Sequence, residues 1–144
     1  MPSQPYWLRM TLPEGALAIV RAGLKTKLWR GAPGERLEKL RALNRQLSEF
    51  YGVPACEVSV RSTQMGPHYQ PGANSIVLDK VSVVSYLHEF GHHLLHCRRK
   101  PQQEVFPRTF SLSLFYQAAP RMFEAARQSG RLLYTDDGGA HAEQ

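Results

Sequence analysis

The sequence is poor in cysteine and has no long apolar run, and both features narrow the class of protein. It has two cysteines in 144 residues, Cys56 and Cys97, too few for the disulfide framework of a small secreted scaffold. The most apolar early stretch, residues 12–24, is interrupted by Pro13 and Glu14. No stretch approaches the roughly 20 apolar residues that cross a bilayer. We therefore expect neither a signal peptide nor a membrane span, and a cytoplasmic location.

Acidic residues are also scarce relative to basic ones. The chain has 18 Lys and Arg against 12 Asp and Glu, a net charge of +6. The surplus lies in residues 1–61, which hold 10 basic against 5 acidic side chains, while the remainder holds 8 against 7. This asymmetry permits an acidic partner such as nucleic acid, but an ordinary solvated basic surface explains it more simply.

What the sequence does contain is a mixture of helical and strand patterns, which predicts an α+β fold. Leucines in residues 34–51 recur three and four positions apart, as in an amphipathic helix, whereas Glu57–Arg61 alternates like a strand. Residues 64–72 contain two Gly-Pro or Pro-Gly pairs and are expected to be a loop or a wide hairpin. The remaining predicted elements are a helix over 13–24, a strand over 74–78, and helices over 81–97, 104–118 and 120–130. Asp79 is the expected N-cap of the helix over 81–97.

The same patterns suggest how the chain is divided. We expect residues 1–33 to be a basic, partly helical extension and residues 34–135 to be the main domain, in which a short sheet packs on the helix over 81–97 with further helices beside it. Residues 136–144, which are rich in glycine and acidic side chains, are expected to be a flexible tail.

One short motif, His88-Glu89-Phe90-Gly91-His92, carries recognisable chemistry. Histidines four positions apart lie on one face of a helix, one turn from each other. Their rings can then meet a single Zn²⁺ at about 2.0–2.1 Å. The intervening Glu89 cannot join them as a ligand, but it can take a proton from water at the metal, as a general base does in a metallopeptidase.

A third zinc ligand must come from elsewhere in the chain. His96 shares the helix face, but it lies about 12 Å along the axis from His88, which is too far for a metal held between His88 and His92. The downstream candidates are Glu104 and Glu124, either of which gives a two-histidine, one-carboxylate site, and His141, which gives a three-histidine site.

Two segments resemble ImmA/IrrE-type metallopeptidases. The run Leu87–Leu95 is similar to the active-site helix of that family, and Asn74–Leu78 is similar to the strand that precedes it. The family's third ligand is a glutamate that opens a helix, with small or aromatic residues at fixed offsets. The residues that follow Glu104 match this spacing at Phe110 and Ser111, although Pro107 stands where the family has alanine.

The resemblance implies a small zincin-like domain that binds Zn²⁺ through His88, His92 and Glu104. It implies a zinc-dependent endopeptidase with Glu89 as the catalytic base and a protein or peptide as substrate. By the same resemblance, a regulator such as a repressor, of phage or mobile-element type, is an expected substrate. The alternative is a catalytically inactive zincin scaffold that binds a protein or a nucleic acid, in which Glu89 would have no task.

Two further expectations concern the substrate. An extended peptide is expected to pair with an exposed sheet edge, for which residues 58–61 are the candidate. His68 and Tyr69, in the segment between the two predicted strands, are candidate substrate-binding residues that could donate hydrogen bonds to the oxyanion of a tetrahedral intermediate.

Overall fold

The structure is a computed structural model that describes residues 10–131. Helices and strands are both present, which confirms the α+β class. The tail predicted for residues 136–144 lies outside the described residues. In chain order the elements are α1 (Glu14–Lys25), α2 (Pro33–Tyr51), β1 (Glu57–Val60), β2 (His68–Gln70), a 3₁₀ turn (Pro71–Ala73), β3 (Ser75–Leu78), α3 (Val83–Cys97), α4 (Val105–Ala118) and α5 (Pro120–Gln128).

The ends of α2 follow directly from local residues. Pro33 occupies the first turn, where its missing N–H costs no hydrogen bond. The carboxylate of Glu35 accepts a hydrogen bond of 3.3 Å from the N–H of Ala32, just before the helix. Gly52 ends the helix in the left-handed region at φ 69°, a conformation that costs glycine little. The predicted bounds of this helix are therefore confirmed to within one residue.

The three strands form one sheet in the order β1-β3-β2. β1 runs parallel to β3, and β2 runs antiparallel to it, with Tyr69 opposite Ile76. The prediction of a loop or a wide hairpin over residues 64–72 did not include β2. This strand has three residues, and Pro67 and Pro71 flank it, so it is too short to show an alternating pattern and carries the residue type that usually marks a loop.

The start of α3 differs from the prediction as well. The sequence favoured Asp79 as the residue that caps this helix. In the structure the cap is Ser82, whose hydroxyl accepts a hydrogen bond of 3.3 Å from the N–H of Ser85. Both serine and aspartate are favourable caps, and the choice depends on where the chain leaves β3, which ends at Leu78.

A single hydrophobic core joins the elements. α1 packs on both α2 and α4, and α3 packs on α4 and on the sheet. Ala16 and Val20 of α1 are fully buried in the same cluster as Leu87 and Phe90 of α3. Within residues 10–131, α1 therefore shares one hydrophobic core with α2, α3 and α4. None of the helices in this range combines the length and apolar character that a membrane crossing requires.

Candidate metal centre

α3 places the motif residues where the hydrophobic core meets solvent. Almost the whole helix is buried from Val83 to Leu95, and His92 is one of the few positions that reach solvent. His88 is 6% exposed and Glu89 is 7% exposed. The rings of His88 and His92 lie with their centroids 5.1 Å apart, as residues one helical turn apart should. The predicted pairing of the two histidines on one face is therefore present.

The N-terminus of α4 supplies a carboxylate between these rings. Glu104 Oε1 lies 3.0 Å from His88 Nε2, and Glu104 Oε2 lies 3.3 Å from His92 Nε2. One ligand atom from each of the three residues falls within 4.8 Å of the other two, so the cluster could hold a metal ion. In residues 10–131 it is the one such group of histidine, cysteine or acidic side chains.

The alternative ligands do not reach this point. Glu124 is on α5, where its carboxylate pairs with Arg127 at 2.9 Å. His96 is exposed and lies outside the cluster. His141 lies outside the described residues. The geometry therefore favours Glu104 among the third ligands that the sequence left open.

A glycine allows α4 to approach α3 closely enough for this contact. A Cβ placed on Gly91 would lie 2.8 Å from Cα of Pro107, which is closer than carbon atoms normally pack. Gly91 is adjacent to His92, and Pro107 is in the first turn of α4 after Glu104. The pair therefore sets the distance between the two histidines and the carboxylate.

The three residues face an open cavity of about 310 Å³. Its walls come from α3, from the α3–α4 connection and from the β2 region. The lining residues are Pro67, His68, Tyr69, Pro71, His88, Glu89, His92, Gln102 and Glu104. All six predicted site residues therefore lie on one cavity.

Burial shifts the pKa values of His88 and Glu89, the two least exposed residues that line the cavity. It lowers the pKa of His88 to about 4, with a further lowering from His92 and an opposing effect of Glu104. Burial also raises the pKa of Glu89 to about 7. His92 opposes this shift, and Glu104 adds to it by a smaller amount. His88 is thus neutral at pH 7 and has a lone pair to offer, and Glu89 changes charge near neutral pH.

Gln102 was not anticipated from the sequence, yet it makes two contacts with His92. Its Nε2 donates to the carbonyl oxygen of His92 at 3.0 Å, and its Oε1 lies 2.7 Å from His92 Nδ1. A carbonyl oxygen can only accept, so the amide orientation is fixed and Oε1 must accept a proton from Nδ1. Neutral His92 therefore carries its proton on Nδ1 and has its lone pair on Nε2.

A second network behind the cavity uses the hydroxyl of Tyr69. His93 is fully buried, and its Nε2 donates to the carbonyl oxygen of Pro54 at 2.7 Å. Its Nδ1 must then accept, and it takes the proton of the Tyr69 hydroxyl at 2.8 Å. That hydroxyl has no second hydrogen to give to an oxyanion. In this structure Tyr69 ties β2 to α3, and its role as an oxyanion donor stays a prediction.

His68 also has both ring nitrogens engaged. Nδ1 donates to the carbonyl oxygen of Gly66 at 2.8 Å, and Nε2 accepts from Gln70 Nε2 at 3.2 Å. The ring lines the cavity, so its predicted location at the site is present. In this neutral form, however, it presents no free N–H to a substrate.

The sheet edge expected to pair with a substrate is covered. On β1, the carbonyl oxygen of Val58 accepts from the guanidinium of Arg41 at 3.1 and 3.2 Å. The carbonyl oxygen of Cys56 accepts from the side-chain amide of Asn44 at 3.0 Å. Both donors belong to α2. The strand beside the cavity is β2, and pairing of a substrate with residues 58–61 stays a prediction.

Comparison with known proteins adds no identification. No protein-family model matches this chain, nor does any curated protein sequence or solved structure. The resemblance to ImmA/IrrE-type metallopeptidases thus depends on its short motifs alone.

Proposed function

We propose that this protein is a zinc-dependent metallopeptidase with a zincin-like domain, similar to the ImmA/IrrE type. The observation that carries the proposal is the convergence of His88, His92 and Glu104 on one point, with the buried carboxylate of Glu89 in the same cavity. A purely structural zinc site is usually closed by four protein ligands, whereas a catalytic site has three and keeps one position open.

The donor set fits a cation of this kind. In the tautomer that carries its proton on Nδ1, His92 has its lone pair on Nε2, 3.3 Å from Glu104 Oε2, so both atoms can donate an electron pair to one cation. The neutral state of buried His88 adds a second imidazole lone pair. Two imidazoles and a carboxylate are a ligand set that suits Zn²⁺.

When bound, Zn²⁺ would polarise the scissile carbonyl and lower the pKa of a coordinated water to about 7. Glu89 takes the proton of the attacking water at its carboxylate, and the water oxygen forms a bond to the carbonyl carbon. The same carboxyl group then delivers the proton to the departing amine as the C–N bond breaks.

The open edge of β2 offers a place for an extended peptide. The N–H groups of Glu57 and Arg61 donate to the carbonyl oxygens of Asn74 and Leu78. The main-chain N–H and C=O groups of the even-numbered residues of β3 therefore point toward β1. The odd-numbered residues of β3 therefore bond β2 at His68 and Gln70. The N–H and C=O of Tyr69 then face outward beside the cavity, where a substrate strand can pair with them.

The proposal is tested by metal removal and return. The zinc-loaded protein is expected to cleave an unfolded protein or a co-expressed regulator, to lose that activity with a zinc chelator, and to regain it when Zn²⁺ is restored. The control is the double variant His88→Ala/His92→Ala, which should remain inactive after zinc is added. Binding of a partner with no cleavage in any zinc-loaded sample would instead support the inactive scaffold.

A further inference from the structure

We propose that Gln102 is a positioning residue for the metal centre, which orients His92 and holds its metal-binding tautomer. This inference rests on the proposed zinc site and deepens it. Gln102 is exposed and lies in the short connection between α3 and α4. Its amide nevertheless contacts His92 twice, at the ring and at the main chain.

The two contacts with His92 need different hydrogen-bonding groups, and a side-chain amide has both. The ring contact needs an acceptor, and the main-chain contact needs a donor, 2.7 and 3.0 Å away respectively. Glutamine has both on one planar group. Because the acceptor holds the proton on Nδ1, the lone pair of His92 stays on Nε2, the atom that faces Glu104. A hydrogen bond to the far nitrogen of a ligating histidine also raises the basicity of the ring.

The same side chain ties down the connection that carries the carboxylate. Glu104 is two residues after Gln102 and precedes the first residue of α4. Its side chain is 61% exposed, so burial alone does not fix its position. With Gln102 anchored to His92, the chain enters α4 at the point where Glu104 reaches both histidines.

The zinc affinity of three variants separates these effects from a general structural role. Gln102→Leu removes both contacts and is expected to weaken Zn²⁺ binding about 10- to 100-fold, the usual effect of losing such a partner. Gln102→Glu retains the acceptor for Nδ1 but loses the donor to the main chain, so its Zn²⁺ affinity should lie between that of Gln102→Leu and that of the wild type. Gln128→Leu, at an exposed site on α5, should leave the affinity unchanged.

The added charge of Gln102→Glu needs its own control. Gln103→Glu places the same charge one residue away and keeps the oxygen that accepts from the N–H of Phe106 at 2.8 Å. Affinities are measured by competition with a chromophoric chelator, and the visible spectrum of the Co²⁺-loaded forms reports the ligand geometry. The spectrum of Gln102→Leu should differ from that of the wild type, whereas the spectrum of Gln103→Glu should not.

Three results would overturn the inference. Wild-type affinity in Gln102→Leu would show that the contacts are not used. Equal weakening in Gln102→Glu and Gln102→Leu would show that the acceptor at Nδ1 is irrelevant. Rescue of affinity by Gln103→Glu added to Gln102→Leu would mean that charge alone matters. Each result leaves the peptidase proposal intact, because that depends on cleavage and on Glu89.

Discussion

At the scale of single residues, the site depends on groups whose protonation is set by their surroundings. Glu89 and His88 are both nearly inaccessible to solvent, and burial disfavours the charged form of each. The result is a neutral imidazole beside a carboxyl group that titrates near neutral pH. Such perturbed groups in a cavity are typical of functional sites.

The assignment of the third ligand predicts unequal effects of two glutamate substitutions. Glu104→Ala removes the carboxylate between the histidines and should weaken Zn²⁺ binding more than about 100-fold, beyond the usual effect of losing an outer-sphere partner. Glu124→Ala is the matched control, because that carboxylate pairs with Arg127. Competition with a chelator measures both. A larger loss in Glu124→Ala would refute the assignment.

The elevated pKa of Glu89 predicts that the free energy of unfolding of the zinc-free protein decreases as pH rises. Burial keeps the proton on Glu89 up to about pH 7 when folded, whereas the unfolded chain releases it near 4.5. The folded state therefore binds more protons in this window, and stability falls as pH rises from 4.5 to 7.

Replacing the carboxyl group of Glu89 should remove this loss of stability at higher pH. Zinc-free Glu89→Gln is expected to be more stable than the wild type at pH 8 by on the order of 2–3 kcal/mol, and nearly equal to it at about pH 4.5. Urea unfolding at the two pH values measures the difference. A stability difference that does not change with pH would contradict the elevated pKa.

At the scale of elements, the site depends on how closely α4 packs against α3. The Gly91–Pro107 contact leaves no room for a methyl group. Gly91→Ala should push the first turn of α4 away, lower stability by about 1–3 kcal/mol, and weaken Zn²⁺ binding at least about tenfold.

A second glycine provides the control for that experiment. Gly34 lies in the first turn of α2, where an added Cβ would meet nothing within 4 Å. Gly34→Ala should be neutral or stabilising and should leave zinc affinity unchanged. Thermal unfolding and chelator competition on both variants measure the effects. Equal zinc affinity in Gly91→Ala and the wild type would show that the close packing does not set the site.

The sequence predicted the helices and the motif because their signals are local. The apolar spacing of α2 and the four-residue spacing of His88 and His92 depend only on helix geometry. β2 was missed because three residues between prolines have no recognisable period. Gln102 and the Tyr69–His93 pair were missed because each contact joins segments that meet only in the folded chain.

At the scale of the whole molecule, the N-terminal helix is part of the body that supports the site. The Arg21 guanidinium donates to the carbonyl oxygen of Ala118 at 3.1 Å, near the end of α4. The side-chain amide of Gln117 bonds the main chain of Met10 and Leu12 at 2.6 and 3.3 Å. α1 thus stabilises the far end of the helix whose beginning carries Glu104.

A core substitution in α1 should therefore destabilise the whole protein. Leu24 is 5% exposed, and Leu24→Ala is expected to cost about 2–4 kcal/mol, with unfolding still in a single transition. Lys25→Ala, at the exposed neighbouring position, should change stability by less than about 0.5 kcal/mol. Circular dichroism during chemical unfolding tests both. A separate early transition in Leu24→Ala would mean that α1 folds independently.

The central claim is that the cavity hydrolyses peptide bonds with Glu89 as the base, and one measurement tests it most directly. Wild type and Glu89→Gln are compared at equal zinc content for cleavage of the same protein substrate. Because Glu89 lies outside the ligand cluster, the variant should bind Zn²⁺ like the wild type and cleave about 10²–10⁴-fold more slowly. Undiminished cleavage by zinc-loaded Glu89→Gln would contradict the account.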